Sequence, residues 1–393
     1  MSSFSLKGIE AYNLDGLRVL MREDFNVPME HGEIRSASRI EAALPSIQAV
    51  LNAGVKQLIL VSHLGRPTEG VYSAEDSLAP VAVRLSELLQ RPVPLVRLGQ
   101  PLPSDTVVLL ENIRCEVGEQ DNAPALAQKL AALCDIFVMD AFACAHRAQA
   151  STVGVAAFAP QACAGPLLLQ EIHALSPIFE HPKRPIMAII GGSKVSTKIK
   201  LIQQLITKVD YLVIGGGMAN TFLAAQGYSV GISRIEADWL APAKEMLADA
   251  AKHGCTIVLP EDVVVATKMT ADAETRVCGL DEVGVQEGIF DIGPKSIASL
   301  SARIREAACI LWNGPVGVFE LAPFAAGTHA LALAIQASPA YKVAGGGDTV
   351  SAIEQFGVRS GISYLSTGGG AFLEYLEALT LPAIEALKEK QAV

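Results

Sequence analysis

The sequence predicts an α/β protein of two domains, each built on a parallel sheet flanked by helices. Three observations predict it. The chain has 393 residues, beyond the length at which one hydrophobic core usually stops growing. Half of the residues are apolar and only 18% are charged, which suits strands buried on both faces. Short β-branched runs alternate with stretches of helical period along the whole chain, the pattern that parallel sheets produce.

Taken in order, the candidate strands span residues 18–21, 57–61, 106–110 and 136–139, then 186–190, 211–214, 256–259, 309–312, 342–344 and 363–365. Each is an apolar run of strand length closed by glycine or polar residues. Between them, segments such as 125–133 and 239–251 place apolar residues at helical spacing. The border is expected between Ala164-Gly165-Pro166 and Ser176-Pro177, which divides the chain into an amino-terminal domain over 1–170 and a carboxy-terminal domain over 171–376.

Charge and cysteine usage exclude several function classes. A net charge of -10 argues against nucleic acid or an anionic membrane as partner, because both require a basic face. A small anion remains admissible, since a few converging arginines outweigh net charge at contact distance. The seven cysteines, Cys115, Cys134, Cys144, Cys163, Cys255, Cys278 and Cys309, form no C-x-x-C pair and read as buried thiols of a reducing compartment. The opening residues carry no basic segment followed by an apolar run, and no apolar stretch is long enough to span a bilayer. A soluble cytoplasmic protein is expected.

In open parallel sheets ligands bind beyond the carboxyl ends of the strands, so the residues after each run are the candidate chemistry. After the early strands come Asp24-Phe25-Asn26, His63-Leu64-Gly65-Arg66, Asn112-Ile113-Arg114 and His146-Arg147. After the later strands come Gly191-Gly192-Ser193-Lys194, Gly215-Gly216-Gly217, Asn313-Gly314-Pro315, Gly345-Gly346-Gly347-Asp348-Thr349 and Thr367-Gly368-Gly369-Gly370. The first set is rich in arginine and hydrogen-bonding side chains, the second in glycine. The division predicts an amino-terminal domain for a compact polyanion and a carboxy-terminal domain for a nucleotide.

Arg39, Arg66, Arg114 and Arg147, with His63, would supply donors for phosphate and carboxylate oxygens, the planar guanidinium giving paired charge-assisted bonds. Asp24 and Asn26 would orient an arginine or accept from a substrate hydroxyl. Any one of these arginines alone reads better as a solvated surface residue, and Asp24 and Asn26 as turn caps. Four arginines at strand ends, or one helix away in the case of Arg39, favour a site. His146 is left out as more often structural. In the other half, glycine runs that open helices leave backbone amides free for phosphate, although a glycine run also serves a plain tight turn. Several such runs in one domain favour nucleotide. Lys194 and Lys198, four apart, are expected on one helix face, and Asp348 is the candidate magnesium carboxylate.

Five segments then resemble the motifs of one family, in family order. They are Arg22-Glu23-Asp24-Phe25-Asn26-Val27-Pro28, Ser62-His63-Leu64-Gly65-Arg66-Pro67, Gly191-Gly192-Ser193-Lys194-Val195-Ser196, Trp312-Asn313-Gly314-Pro315-Val316-Gly317-Val318-Phe319-Glu320 and Gly345-Gly346-Gly347-Asp348-Thr349. By them the chain resembles the phosphoglycerate kinases over nearly all its length. The resemblance implies two Rossmann-like domains joined by a hinge, with the last segment, 377–393, returning to the first domain. It implies 3-phosphoglycerate or 1,3-bisphosphoglycerate on Asp24, Phe25, Asn26, Arg39, His63, Leu64, Gly65, Arg66, Arg114 and Arg147. It implies MgATP or MgADP on Lys198, Gly216, Gly217, Asn313, Glu320, Gly346, Gly347, Asp348 and Thr349, with Arg39, Lys194 and Lys198 as the catalytic side chains, in a monomer. The chain departs from the family pattern at Ala143-Cys144, where Gly-Thr is common, and at Glu377-Ala378-Leu379, where Glu-Gly-Lys is usual.

The residues fit phosphoryl transfer to a carboxylate without the name. With a pKa of about 4 that nucleophile is already ionised, so no general base is needed. What remains is to hold two anions in line, neutralise charge and exclude water. There is no G-x-x-x-x-G-K-[ST] segment, and no H-R-D or D-F-G, so neither the P-loop nor the protein-kinase solution applies. A dinucleotide oxidoreductase would show a G-x-G-x-x-G turn with an acid about 20 residues on, and no convincing copy is present. A non-catalytic nucleotide-binding protein of the same fold is the remaining alternative, disfavoured by Arg39, Lys194, Lys198 and Asp348 together.

Overall fold

The computed structural model describes residues 5–392. Met1 to Phe4, part of the opening segment that is expected to carry no leader, and Val393, the end of the expected returning segment, lie outside them. Two compact units emerge: residues up to His173 together with those from Leu379, and Ala174–Ala378.

In the first unit, β1 (Arg18–Arg22) is followed by a short hairpin of β2 (Met29–Glu30) and β3 (Glu33–Ile34), then β4 (Gln57–Val61), β5 (Leu95–Val96), β6 (Val107–Leu110), β7 (Ile136–Met139) and β8 (Gln161–Ala164). Six of these form one parallel sheet in the order β5-β6-β4-β1-β7-β8. Its central strands are apolar on both faces, as in Val-Val-Leu-Leu at 107–110 and Ile-Phe-Val-Met at 136–139, all buried, because helices cover both sides. The helix Ser38–Asn52 packs Ile40, Ile47 and Val50 into the cluster that holds Val19, Met21 and Leu58.

In the second unit come β9 (Ile186–Ile190), β10 (Tyr211–Ile214), β11 (Thr256–Val258), β12 (Asp262–Ala266), β13 (Arg276–Gly279), β14 (Gly288–Ile292), β15 (Cys309–Asn313), β16 (Tyr341–Ala344) and β17 (Tyr364–Leu365). The parallel sheet runs β11-β10-β9-β15-β16-β17. Numbered by appearance its strands lie third, second, first, fourth, fifth, sixth, the doubly wound order of dinucleotide-binding sheets. In each sheet the direction of winding reverses beside the first strand: between β1 and β7 in one unit, and between β9 and β15 in the other. Ligands of such sheets bind at that switch point.

The structure adds elements that the sequence did not predict. The strands β12, β13 and β14 form a separate antiparallel sheet in the order β13-β12-β14. Strands β5 and β8, two and four residues long, form the edges of the first sheet. Leu379, at the second passage between units, has φ 52°, the left-handed region that glycine holds without strain. Among the described residues no helix is long and apolar enough to cross a membrane, and all seven cysteines are buried and free.

Candidate active site

Strand β1 ends in charge rather than in another apolar residue. Arg22 and Glu23 are 0% and 1% exposed, and the chain then turns so that Asp24 faces Arg39, whose Nη1 donates to Asp24 Oδ2 at 2.6 Å. Asn26 Oδ1 accepts the Gly65 amide at 2.9 Å, tying the loop after β1 to the loop after β4. Arg114 Nη1 donates to the Gly65 carbonyl at 2.5 Å, and its Nη2 is buried without a partner. Arg66, Arg114 and Arg147 line one cavity of about 380 Å³ with Pro67, Gln120 and Gln149. Burial, followed by Arg147 and Arg22, pushes the Arg114 guanidinium down to about 10. Crowding three guanidinium groups so closely costs energy that a bound polyanion would offset.

His63 sits at the centre of this charge. Burial and then Arg22, Arg114, Arg147 and Arg39 push its imidazole well below the usual histidine range, so the ring is neutral at neutral pH. Phe25 and Leu64, expected to touch substrate, instead place their side chains in the core. Their backbone amides are occupied by Ser62 Oγ at 2.8 Å and Asn112 Oδ1 at 3.2 Å. These two residues shape the loops and offer no free donor. Cys144 brings its Sγ to 3.8 Å from His63 Nδ1, so the departure at 143–144 falls directly beside the site.

The second unit builds its site from backbone and one amine. Lys198 Nζ donates to the Gly191 carbonyl and to Asn313 Oδ1, both at 2.6 Å, bridging the ends of β9 and β15 across the switch point. Burial lowers the Lys198 amine to about 8, with Asp348 pulling it upward. Asn313 Nδ2 in turn donates to Gly345 at 2.7 Å, and the Gly314 amide donates to Thr349 Oγ1 at 2.7 Å. Asn313 and Thr349 are therefore buried supports of the loops around Lys198. Gly346, at φ 97°, has no room for a side chain, because a Cβ would lie 2.5 Å from Asn313 Nδ2.

A cavity of about 470 Å³ is lined by Gly216, Gly217, Glu320 and Asp348 among others. Asp348 is exposed in the first turn of the helix Gly347–Gln355, a position that favours anions and leaves a hard oxygen free for magnesium. The expectation that Lys194 and Lys198 share a helix face is corrected. That helix begins only at Ile199, Lys198 is its cap and Lys194 is an exposed loop residue. The glycines at 191 and 192 keep the segment out of helix, Gly192 having φ 148°. Sequence reasoning also missed Arg22, Glu23, Glu119 and Asp140, all essentially buried; the signal was a charged pair closing an apolar strand.

A basic cavity at one switch point, and a glycine-walled cavity beside an amine at the other, define the class: an α/β phosphotransferase that works by positioning anions. The family model for phosphoglycerate kinase matches residues 9–378. The phosphoglycerate kinase of Coxiella burnetii (strain RSA 493 / Nine Mile phase I) is 50% identical over 381 residues, 96% of this chain and 97% of that one. A solved phosphoglycerate kinase structure from Coxiella burnetii matches with TM-score 0.94 at 48% identity, covering 98% of this chain and 99% of that one. The crystal structure of the Pyrococcus horikoshii OT3 phosphoglycerate kinase matches with TM-score 0.79 at 32% identity, covering 98% and 99%. The chain belongs to the phosphoglycerate kinase family. It transfers a phosphoryl group reversibly between 1,3-bisphosphoglycerate and ADP, giving 3-phosphoglycerate and ATP, with a carboxyl group as acceptor, a glycolytic step.

Proposed function

We propose that the two halves of this reaction are divided between the two switch points, the acid on the first unit and the nucleotide on the second. The observation that carries the reading is the contrast in donors. Arg39, Arg114 and Arg147 surround His63 on one unit, and Arg66 lines a cavity with Arg114 and Arg147, while Lys198 and glycine backbone serve the other. Asp24 holds Arg39 toward the acid, and Asn26 and Gly65 join the two loops beneath it. Arg39 then neutralises charge on the migrating group, and Lys198 holds the terminal phosphate of the nucleotide. Lys194, exposed next to this loop, is free to reach the same group.

Asp348, with Glu320 on the wall of the same cavity, fits magnesium, which takes a carboxylate and nucleotide phosphate oxygens as ligands. The ion, when bound, supplies charge neutralisation of the phosphates. The carboxylate acceptor needs no base, consistent with a neutral His63 that binds rather than abstracts. We place the enzyme in the cytoplasm as a monomer without nucleic-acid partners. The seven buried free thiols support the compartment, and the net charge of -10 the absence of a nucleic-acid partner.

Calorimetry tests the division. Arg114→Ala should lose 3-phosphoglycerate affinity and keep ADP affinity, and Asp348→Asn should raise the magnesium requirement while leaving 3-phosphoglycerate binding unchanged. Loss of both ligands in either folded variant contradicts the assignment.

A further inference from the structure

Behind His63 lies a buried polar chain that the reaction itself does not require. Arg22 Nη2 lies 3.2 Å from His63 Nδ1. Arg22 Nε donates to Ser151 Oγ at 3.0 Å, and Nη1 donates to the Glu23 carbonyl. Ser151 in turn gives its hydroxyl to Glu119 Oε1 at 2.5 Å and its amide to Glu119 Oε2 at 2.9 Å. Arg22, Ser151 and Glu119 are at most 1% exposed and His63 is 3% exposed, so water does not compete for these bonds.

The direction of each bond follows from the groups. A guanidinium has donors only, so His63 Nδ1 must accept from Arg22 with its lone pair. The neutral ring then carries its proton on Nε2. Ser151 fills both of its roles at once, accepting from Arg22 and donating to Glu119, and this fixes the guanidinium in its plane. Cys144 adds a second, weaker donor toward Nδ1, since burial and then Asp24 keep its thiol protonated, with a pKa of about 12. The other charged groups around the ring are Asp24, Arg39, Arg114 and Arg147. The arginines also rule out the cation site that Asp24, His63 and Cys144 would otherwise form, although one ligand atom from each lies within 4.8 Å of the others.

We propose that Arg22, held by Ser151 and Glu119, is a positioning residue that fixes His63 as the neutral tautomer protonated on Nε2. The acid substrate thus meets a neutral hydrogen-bond donor at this position. The proposal deepens the acid-site reading above and rests on it for the substrate contact, but the tautomer itself is a property of the free protein.

Nitrogen NMR of the histidine-labelled full chain, with His63 assigned by its loss in His63→Gln, tests it. The expected spectrum shows a pyridine-like Nδ1 and a pyrrole-like Nε2 for His63, unchanged over roughly pH 6 to 8, the range in which an ordinary histidine titrates. A pyrrole-like Nδ1, or two protonated nitrogens, overturns the proposal. Ser151→Ala, which keeps Arg22, should average the two nitrogens and raise KM for 3-phosphoglycerate about fivefold, the worth of one net hydrogen bond, with kcat held. Ser151→Thr should restore both. Ser151→Ala with wild-type nitrogens and KM removes Ser151 and Glu119 from the device. His63→Gln, a neutral donor, should bind 3-phosphoglycerate better than His63→Leu. If His63→Leu binds it like the wild type, the acid-site reading fails, whatever the tautomer.

Discussion

Replacing Lys198 by methionine keeps an unbranched apolar stem, one atom shorter, and removes the charge and its donors. In the wild type the amine is pushed down from 10.5 to about 8 by burial, so below that pH carrying the charge costs the fold roughly 3 kcal/mol. Methionine relieves that cost. It also strands the Gly191 carbonyl and Asn313 Oδ1, each now bonded at 2.6 Å, at about 1–3 kcal/mol apiece. The two effects oppose each other, and the variant should end no more than about 3 kcal/mol less stable than the wild type. Nucleotide binding has no such compensation. Losing a charge-assisted bond to phosphate costs about 1.5–3 kcal/mol, or roughly ten- to more than a hundredfold in Kd.

The pH dependence has a definite sign. Because the folded-state pKa is lowered, the unfolded chain holds more protons between about 8 and 10.5, and this group makes stability rise with pH across that window. ADP affinity should fall through the same window, as the amine loses its proton. Calorimetry with ADP, beside urea unfolding at pH 7 and above pH 8, reads all three effects. An unchanged Kd for ADP in Lys198→Met, with the fold intact, refutes the role given to this amine.

Arg39→Ala should lower turnover by roughly a hundredfold, as removing a preorganised donor does, with ADP affinity unchanged. Its ion pair with Asp24 is open to water only on the Arg39 side, and turnover close to wild type in the folded variant would contradict the charge-neutralising role. Gly346→Ala should cost about 1–3 kcal/mol of stability through its positive φ and, by crowding Asn313, weaken nucleotide binding; urea unfolding and calorimetry measure the two. Glu23 is fully buried beside Asp140, and burial followed by Asp140 raises its carboxyl well above the usual range. The folded state therefore binds this proton more tightly, and the stability it confers is complete below the ordinary pKa and declines as pH rises through the raised one. Glu23→Gln should flatten that decline in unfolding curves taken across pH.

Most of the framework was legible because buried parallel strands write themselves as apolar runs. Ile186–Ile190 and Gln57–Val61 fall where their sequence places them. The antiparallel strands Asp262–Ala266, Arg276–Gly279 and Gly288–Ile292 were not predicted, since Arg276 and Val277 are exposed and the helical grammar lapses there. At the candidate sites residue type was readable but contact was not. Asp24 with Arg39, and Lys198 with Asn313, are partners that only folding brings together across 15 and 115 residues. The glycines of 191–192 hide the late start of the helix at Ile199, so helical spacing misplaced Lys194. Arg22 shows locally only as a charge closing an apolar strand, and its bond to Ser151, 129 residues away, leaves no pattern.

Trapping the product of the reverse reaction with hydroxylamine tests the central claim most directly. With ATP, magnesium and 3-phosphoglycerate the protein should form an acyl phosphate, captured as the hydroxamate in proportion to ADP released. Substitution of the acceptor by an analogue lacking the carboxylate should abolish both. ADP released without hydroxamate, or equally fast without 3-phosphoglycerate, would contradict phosphoryl transfer to a carboxylate held by the arginines around His63.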